Sequence, residues 1–240
     1  MRDEPDEATI REVRERADAV RGRIIDAAHA AGRDPDAVRL IAVTKTHPVA
    51  TVGAALAAGL EDLGENRVEE LVGKQASVAA RWHLVGRLQR NKVRDVVGRV
   101  VLIHSVDRRP LVDAIGRHAV SRGLVQDVLV QVNVGEDPAK GGCDLADVGG
   151  LVSYAAATPG VRVVGLMTVP PLPGPDVAPG TAAAPHFRAL REARDVLRAE
   201  HPAVEELSMG MSDDLEAAVA EGATMVRVGS ALFGPREGAR

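Results

Sequence analysis

Short apolar, β-branched runs recur along this chain at intervals that leave room for a helix between them. They lie at Val38 to Thr44, Asp62 to Gly64, Trp82 to Val85, Val100 to His104, Asp127 to Val134, Val161 to Met167, Glu206 to Met209 and Thr224 to Val228. Runs that are apolar throughout, rather than alternating, predict strands buried on both faces, as in a parallel sheet. Amphipathic stretches between them begin near Pro48, Asn66, Gln89, Arg108, Leu145, Pro185 and Asp213. A further segment, Glu7 to Ala31, has helix-forming composition and stops near Gly32, with Pro35 just beyond. Eight strands and eight helical partners predict an α/β fold, a closed (β/α)8 TIM barrel. The expected organisation is one domain, with an N-terminal helix in residues 1–36 packing on a barrel formed by residues 37–240. The interval from Pro170 to Pro185 is too rich in proline and alanine to be an element. It reads as a mobile loop after the sixth strand, either a cover for a site or a tolerated insertion.

Composition narrows the function classes. With 240 residues, 45% of them hydrophobic, and a formal net charge of -4, the chain can bury one sizeable core and shows no bias toward a polyanion. Aromatic residues make up 2% (Phe187, Phe233, Trp82, Tyr154), which removes stacking platforms for single-stranded nucleic acid. Cys143 stands alone, so no intramolecular disulfide forms. The charged start, Met1 to Glu7, argues against a signal peptide, and no apolar run is long enough to span a bilayer. The expectation is a soluble cytoplasmic protein without membrane or nucleic-acid partners. The seven histidines show no paired metal-ligand spacing, and neither a phosphate-binding Gly-x-x-x-x-Gly-Lys run nor a Gly-x-Ser-x-Gly elbow occurs.

Candidate chemistry begins with lysine, because the chain carries 4 lysines against 26 arginines. Lys45 closes the run Leu40-Ile41-Ala42-Val43-Thr44, at the strand end where barrel enzymes place their sites. Partial desolvation there would free its amine for imine formation, which an arginine cannot undertake; the alternative is a lysine snorkelling from a strand end. After the seventh strand comes Ser208-Met209-Gly210-Met211-Ser212-Asp213-Asp214, and after the eighth Gly229-Ser230. Glycine with hydroxyls at these two loops suits a phosphate, although each loop is also an ordinary turn or cap. Asp213 with Glu216, for instance, fits a capping box. Arg227 interrupts a buried strand and needs a partner, either a carboxylate such as Glu65 or a heteroaromatic ring nitrogen.

Six motifs, in order, span residues 42 to 230. They are Ala42-Val43-Thr44-Lys45, Gly64-Glu65-Asn66-Arg67-Val68-Glu69-Glu70, Trp82-His83-Leu84-Val85-Gly86-Arg87-Leu88-Gln89-Arg90-Asn91-Lys92, Gly165-Leu166-Met167, Leu207-Ser208-Met209-Gly210-Met211-Ser212-Asp213-Asp214 and Met225-Val226-Arg227-Val228-Gly229-Ser230. In these the chain resembles the YggS/PROSC family of pyridoxal-phosphate-binding proteins. The resemblance implies a barrel of the alanine-racemase N-terminal-domain type (fold type III of pyridoxal-phosphate proteins). It implies pyridoxal 5'-phosphate held as a Schiff base on Lys45, its phosphate on Ser208, Gly210, Gly229 and Ser230, and Arg227 facing the pyridine nitrogen. Asn66, His83 and Met167 would line the ring pocket. The associated role is homeostasis of this form of vitamin B6, by storage and transfer, with apo-enzymes that use the cofactor as acceptors and the protein a monomer. No catalytic turnover is implied.

Two positions depart from the family pattern: Arg67 stands where an aromatic residue is common, and Ser230 where a threonine is usual. Lys140, in the loop after the fifth strand, reads as a solvated lysine or an anion contact, and Lys74 and Lys92 read as helical surface residues. A racemase-like enzyme on the same fold is the alternative function. It needs a second acid/base opposite the lysine, commonly tyrosine, and Tyr154 falls inside the fifth barrel helix, away from the strand ends.

Overall fold

The computed structural model describes residues 5–137 and 140–234. Residues 1–4 of the expected N-terminal segment, Pro138 and Ala139, and residues 235–240 of the expected barrel lie outside the described residues. Eight parallel strands close on themselves in the order β1 to β8. They are β1 (Arg39–Val43), β2 (Asp62–Glu65), β3 (Arg81–Leu84), β4 (Leu102–Val106), β5 (Gln126–Gln131), β6 (Val161–Met167), β7 (Glu206–Ser208) and β8 (Met225–Val228). Closure is made by β1, which pairs β2 through Ala42 and Leu63 and β8 through Ile41 and Arg227.

Side chains alternate across this wall. One set meets the outer helices in the main core. The other fills the barrel with Ile41, Leu102, Leu129, Met167 and Met225. Ile41 and Leu129 are fully buried, each contributing roughly 1.5–3 kcal/mol. The polar residues His83, His104, Ser208 and Arg227 share that interior, which is what sets this barrel apart from a purely apolar one.

The outer helices are α1 (Glu7–Ala30), α2 (Val49–Ala57), α3 (Val68–Gln75), α4 (Arg109–Ser121), α5 (Val148–Ala156), α6 (Pro179–Leu197), α7 (Leu215–Ala220) and α8 (Ser230–Phe233). Asp6 starts α1 by accepting from the Thr9 amide at 2.7 Å. Val13, Ala17, Val20, Ile24 and Ala28 then form its buried stripe. It packs against α2, α7 and α8, in the sector of the ring where α8 has only four residues. Arg23 of α1 donates to the Ser212 carbonyl at 2.8 Å and pairs with Glu216, tying the helix to the loop after β7.

Three expectations need correction. The proline- and alanine-rich interval is not all loop, because α6 begins at Pro179 and contains Pro185. Pro179 occupies the first helical turn, where its missing N–H costs nothing, and Ala183, Phe187 and Leu190 bury one face. That packing outweighs the hydrogen bond Pro185 forfeits. Lys74 is buried rather than on the surface: its Nζ donates to the Thr44 carbonyl at 2.7 Å and to Glu65 at 2.6 Å. The segment expected as a helix from Gln89 is a 3-10 stretch, Arg90–Asp95.

Candidate functional site

The exit of β1 is held from both sides of Lys45. Behind it, Thr44 Oγ1 donates to Glu65 Oε1 at 2.6 Å, and Lys74 binds both that carboxylate and the Thr44 carbonyl. Ahead of it, Thr46 sits at a φ of 67°, a left-handed conformation unfavourable for a β-branched residue, and its amide donates to Glu70 at 2.7 Å. Burial pushes the Glu65 carboxyl above its usual range, while the Lys74 and Thr44 bonds pull it back. Glu65 Oε2 is buried without a hydrogen-bond partner.

Lys45 opens onto a cleft of about 430 Å³ at the C-terminal ends of the strands. Asn66, Met167, Arg227, Gly229 and Ser230 line it as well, so six of the nine expected site residues come together. Val43, Val85, Met167 and Val169 supply apolar wall. His47, stacked at a tilt on Phe233 with ring centroids 5.2 Å apart, Gln131 and Arg87 supply polar edge.

The other three expected residues lie elsewhere. Ser208 is fully buried, is not among the residues lining the cleft, and uses its hydroxyl on His104 Nδ1 (2.9 Å) and on Arg227 Nη1 (2.8 Å). His83 is 1% exposed and lies inside the barrel between Asp62 (2.9 Å) and His104 (3.0 Å), away from the cleft wall. Gly210 makes the turn: its φ is 93°, and a Cβ there would fall 2.5 Å from that of Ala218. Ser208 and His83 are strand residues whose alternation turns them into the barrel interior.

The hydroxyl that reaches the cleft after β7 is Ser212, which the sequence reading named within its motif but did not select. Ser230 Oγ donates to Ser212 Oγ at 3.0 Å, and the Ala231 amide donates to it at 3.3 Å, joining the loops after β7 and β8. Buried Asp214 secures this turn by accepting from the Met211 amide at 2.6 Å. The missed signal is position: Ser212 lies four residues past the end of β7, at loop height.

Arg227 does not pair with Glu65. Its Nη2 donates to the Thr168 carbonyl at 2.8 Å and its Nη1 to Ser208. Burial lowers its guanidinium to about 10, against the attraction of Asp214, so it remains a cation at neutral pH. Lys140 donates to the Pro170 carbonyl, bridging the loops after β5 and β6, and burial lowers its ammonium. Lys92 pairs with Glu69. Tyr154 donates to Asp113 at 2.6 Å beneath the Arg109 guanidinium and is not part of the cleft. Burial pushes the Cys143 thiol up to about 12, which removes it as a nucleophile. Among the described residues no group of three or more histidine, cysteine or acidic side chains could hold a metal. No described helix is long and apolar enough to cross a membrane.

Comparison with known proteins follows this geometry. Residues 17–237 match the family described as alanine racemase, N-terminal domain. A pyridoxal phosphate homeostasis protein of Aquifex aeolicus is 44% identical over 228 residues, covering 93% of this chain and 98% of that relative. One from Pseudomonas aeruginosa is 42% identical, covering 91% and 93%. The structure of PipY from Synechococcus elongatus with pyridoxal phosphate bound superposes with a TM-score of 0.79 at 36% identity, covering 92% of this chain and 100% of that one.

Proposed function

The chain belongs to the alanine racemase N-terminal-domain family, among its pyridoxal phosphate homeostasis proteins, and from that premise we propose that its cleft binds pyridoxal 5'-phosphate covalently on Lys45. One observation carries the reading. An amine (Lys45), a buried cation (Arg227) and paired hydroxyls (Ser212, Ser230) line a single cleft with an apolar wall. These groups fit an aldehyde, a ring nitrogen and a phosphate in turn. The fit uses Ser212 in place of Ser208 and Gly210 as the phosphate contact beside Gly229 and Ser230.

When bound, the cofactor supplies an aldehyde and a ring able to accept electrons. What the protein does with it depends on Arg227, which is a cation held by Ser208 and Thr168. A permanent cation donating to the ring nitrogen keeps that nitrogen unprotonated and limits the ring as an electron sink. Val43, Val85, Met167 and Val169 would give the ring an apolar wall, and Asn66 lines the same cleft as Lys45. Such a site suits holding and releasing the cofactor for acceptor apo-enzymes, inside the cell, without substrate turnover. Tyr154, bonded to Asp113, supplies no second acid/base for a racemase.

Purified protein loaded with the cofactor is expected to absorb near 420 nm, roughly where protein imines of this cofactor absorb. Lys45→Ala is expected to lose that band and to resist covalent trapping by borohydride. An unchanged band in the variant would refute the assignment of Lys45.

A further inference from the structure

A continuous line of side chains runs through the barrel beneath Arg227. Arg227 Nη1 meets Ser208 Oγ at 2.8 Å, Ser208 meets His104 Nδ1 at 2.9 Å, His104 Nε2 meets His83 Nδ1 at 3.0 Å, and His83 Nε2 meets Asp62 Oδ1 at 2.9 Å. Residues from β8, β7, β4, β3 and β2 take part, so no local sequence produces it. Its upper end borders the cleft. Its lower end, Asp62, borders a second cavity of about 380 Å³ at the opposite side of the barrel, lined also by Arg21, Asp36 and Arg39. The relay therefore joins two cavities at opposite ends of the barrel interior.

With both imidazoles neutral, the two ends decide where every proton sits. A guanidinium only donates and a carboxylate only accepts. Arg227 therefore donates to Ser208, and Ser208 must donate to His104 Nδ1. His104 then carries its proton on Nε2 and donates to His83 Nδ1, and His83 carries its own on Nε2 and donates to Asp62. All four bonds then point the same way, from cation to anion. Burial lowers both histidines: Asp62 opposes this at His83, whereas His83, Arg227 and Arg39 add to it at His104. The other charges facing the pair are Arg81 beside Asp62 and Glu206, which pairs with Arg39.

We propose that Asp62, His83, His104 and Ser208 are positioning residues for Arg227, a proton-ordered relay that couples the grip of the upper cleft on its ligand to the protonation of His83. A proton taken from solvent onto His83 Nδ1 faces the hydrogen already on His104 Nε2. Contact is kept only if His104 changes to its Nδ1–H form, which then donates to Ser208 Oγ. Ser208 now receives two donors, its own hydrogen loses its acceptor in the line, and a second cation stands below Arg227. Arg227 then shares Ser208 with a second donor, and the Thr168 carbonyl is left as its one undivided support. The ligand half of this inference rests on the pyridoxal phosphate reading, whereas the proton order does not.

The test has two arms. In the first, nitrogen-resolved NMR of ligand-free wild-type protein near pH 7.5, about one unit above the ordinary histidine value, should show His83 and His104 both neutral and both protonated on Nε2. Any other tautomer pair overturns the relay, and no variant has to fold for that result. The second arm titrates pyridoxal 5'-phosphate near pH 7.5 and near pH 5.5, in wild type and in His83→Gln, whose amide donates and accepts along the same line without titrating. Wild-type affinity should fall more than that of the variant, with about tenfold as the ceiling for one proton taken up one unit below the ordinary histidine value, because burial lowers His83. Equal pH profiles overturn the relay. Absence of cofactor binding by the wild type at either pH overturns the cofactor reading, and with it the ligand end of the relay.

Discussion

Lys74→Met tests how the β1 exit is held. In the folded protein Lys74 and Glu65 form a buried pair at 2.6 Å, with side-chain exposures of 7% and 0%. Methionine keeps the length of the stem and removes the charge. It leaves Glu65 with one donor, Thr44, for two buried oxygens, one of which already lacks a partner. Removing one member of a buried pair costs about 3–5 kcal/mol, which for a chain of this size lowers Tm by roughly 6–20 °C. The sign of the pH dependence follows. Burial already raises the Glu65 carboxyl above 4.5, and losing Lys74 removes the largest influence pulling it back. A group whose folded value is raised is least harmful below its unfolded value and most harmful above its folded one. The stability gap between wild type and variant should therefore be widest near neutral pH and narrow as pH falls toward 4.5. Urea unfolding at several pH values measures it. Replacing both residues together, Lys74→Met with Glu65→Leu, should recover most of the loss because no uncompensated charge remains. A loss below about 1 kcal/mol, the range of an exposed pair, would refute the reasoning, as would a gap that does not change with pH.

Three further outcomes are expected. Gly210→Ala forces a Cβ to within 2.5 Å of Ala218 at a φ of 93°; it should cost about 1–3 kcal/mol in urea unfolding, and an unchanged midpoint would mean that the turn relaxes. Ser212→Ala should weaken competition by inorganic phosphate for the cleft by about tenfold, the worth of one hydrogen bond to a charged group, while Ser208→Ala, which removes a support of Arg227 and not a phosphate contact, should weaken it less; the reverse order would return the phosphate to Ser208. Arg23→Ala frees the Ser212 carbonyl and Glu216; it should change global stability by no more than about 1 kcal/mol, yet speed amide exchange in the loop after β7, and unchanged exchange would remove α1 from the support of the site.

Much of the architecture is legible in the chain because each apolar run carries its own evidence. Val161 to Met167 is a buried strand in any parallel sheet, and its observed limits coincide with the expected ones. Lys45 is equally legible: an amine after five apolar or β-branched residues falls at a strand end, and closure of the barrel turns that end into the rim of a cleft. The residues misplaced by sequence share a different property. Lys74 has a polar helical neighbourhood in sequence, and only the packing of α3 on β2 and the end of β1 brings it against Glu65 and Thr44. The proline rule reads Pro185 as a breaker, but it cannot weigh the apolar stripe that Phe187 and Leu190 bury around it.

The sequence by itself determined the barrel, the family, and the placing of Lys45 and Arg227 toward the C-terminal ends of their strands. Tertiary structure decided which serine of Ser208-Met209-Gly210-Met211-Ser212 reaches the cleft and what His83 touches. Strand alternation assigns Ser208 and His83 to an interior, but the occupants of that interior come from strands far apart in sequence. His104 and Ser208 are 104 positions apart and 2.9 Å in contact. Ring closure creates that neighbourhood, and no periodicity along the chain encodes it.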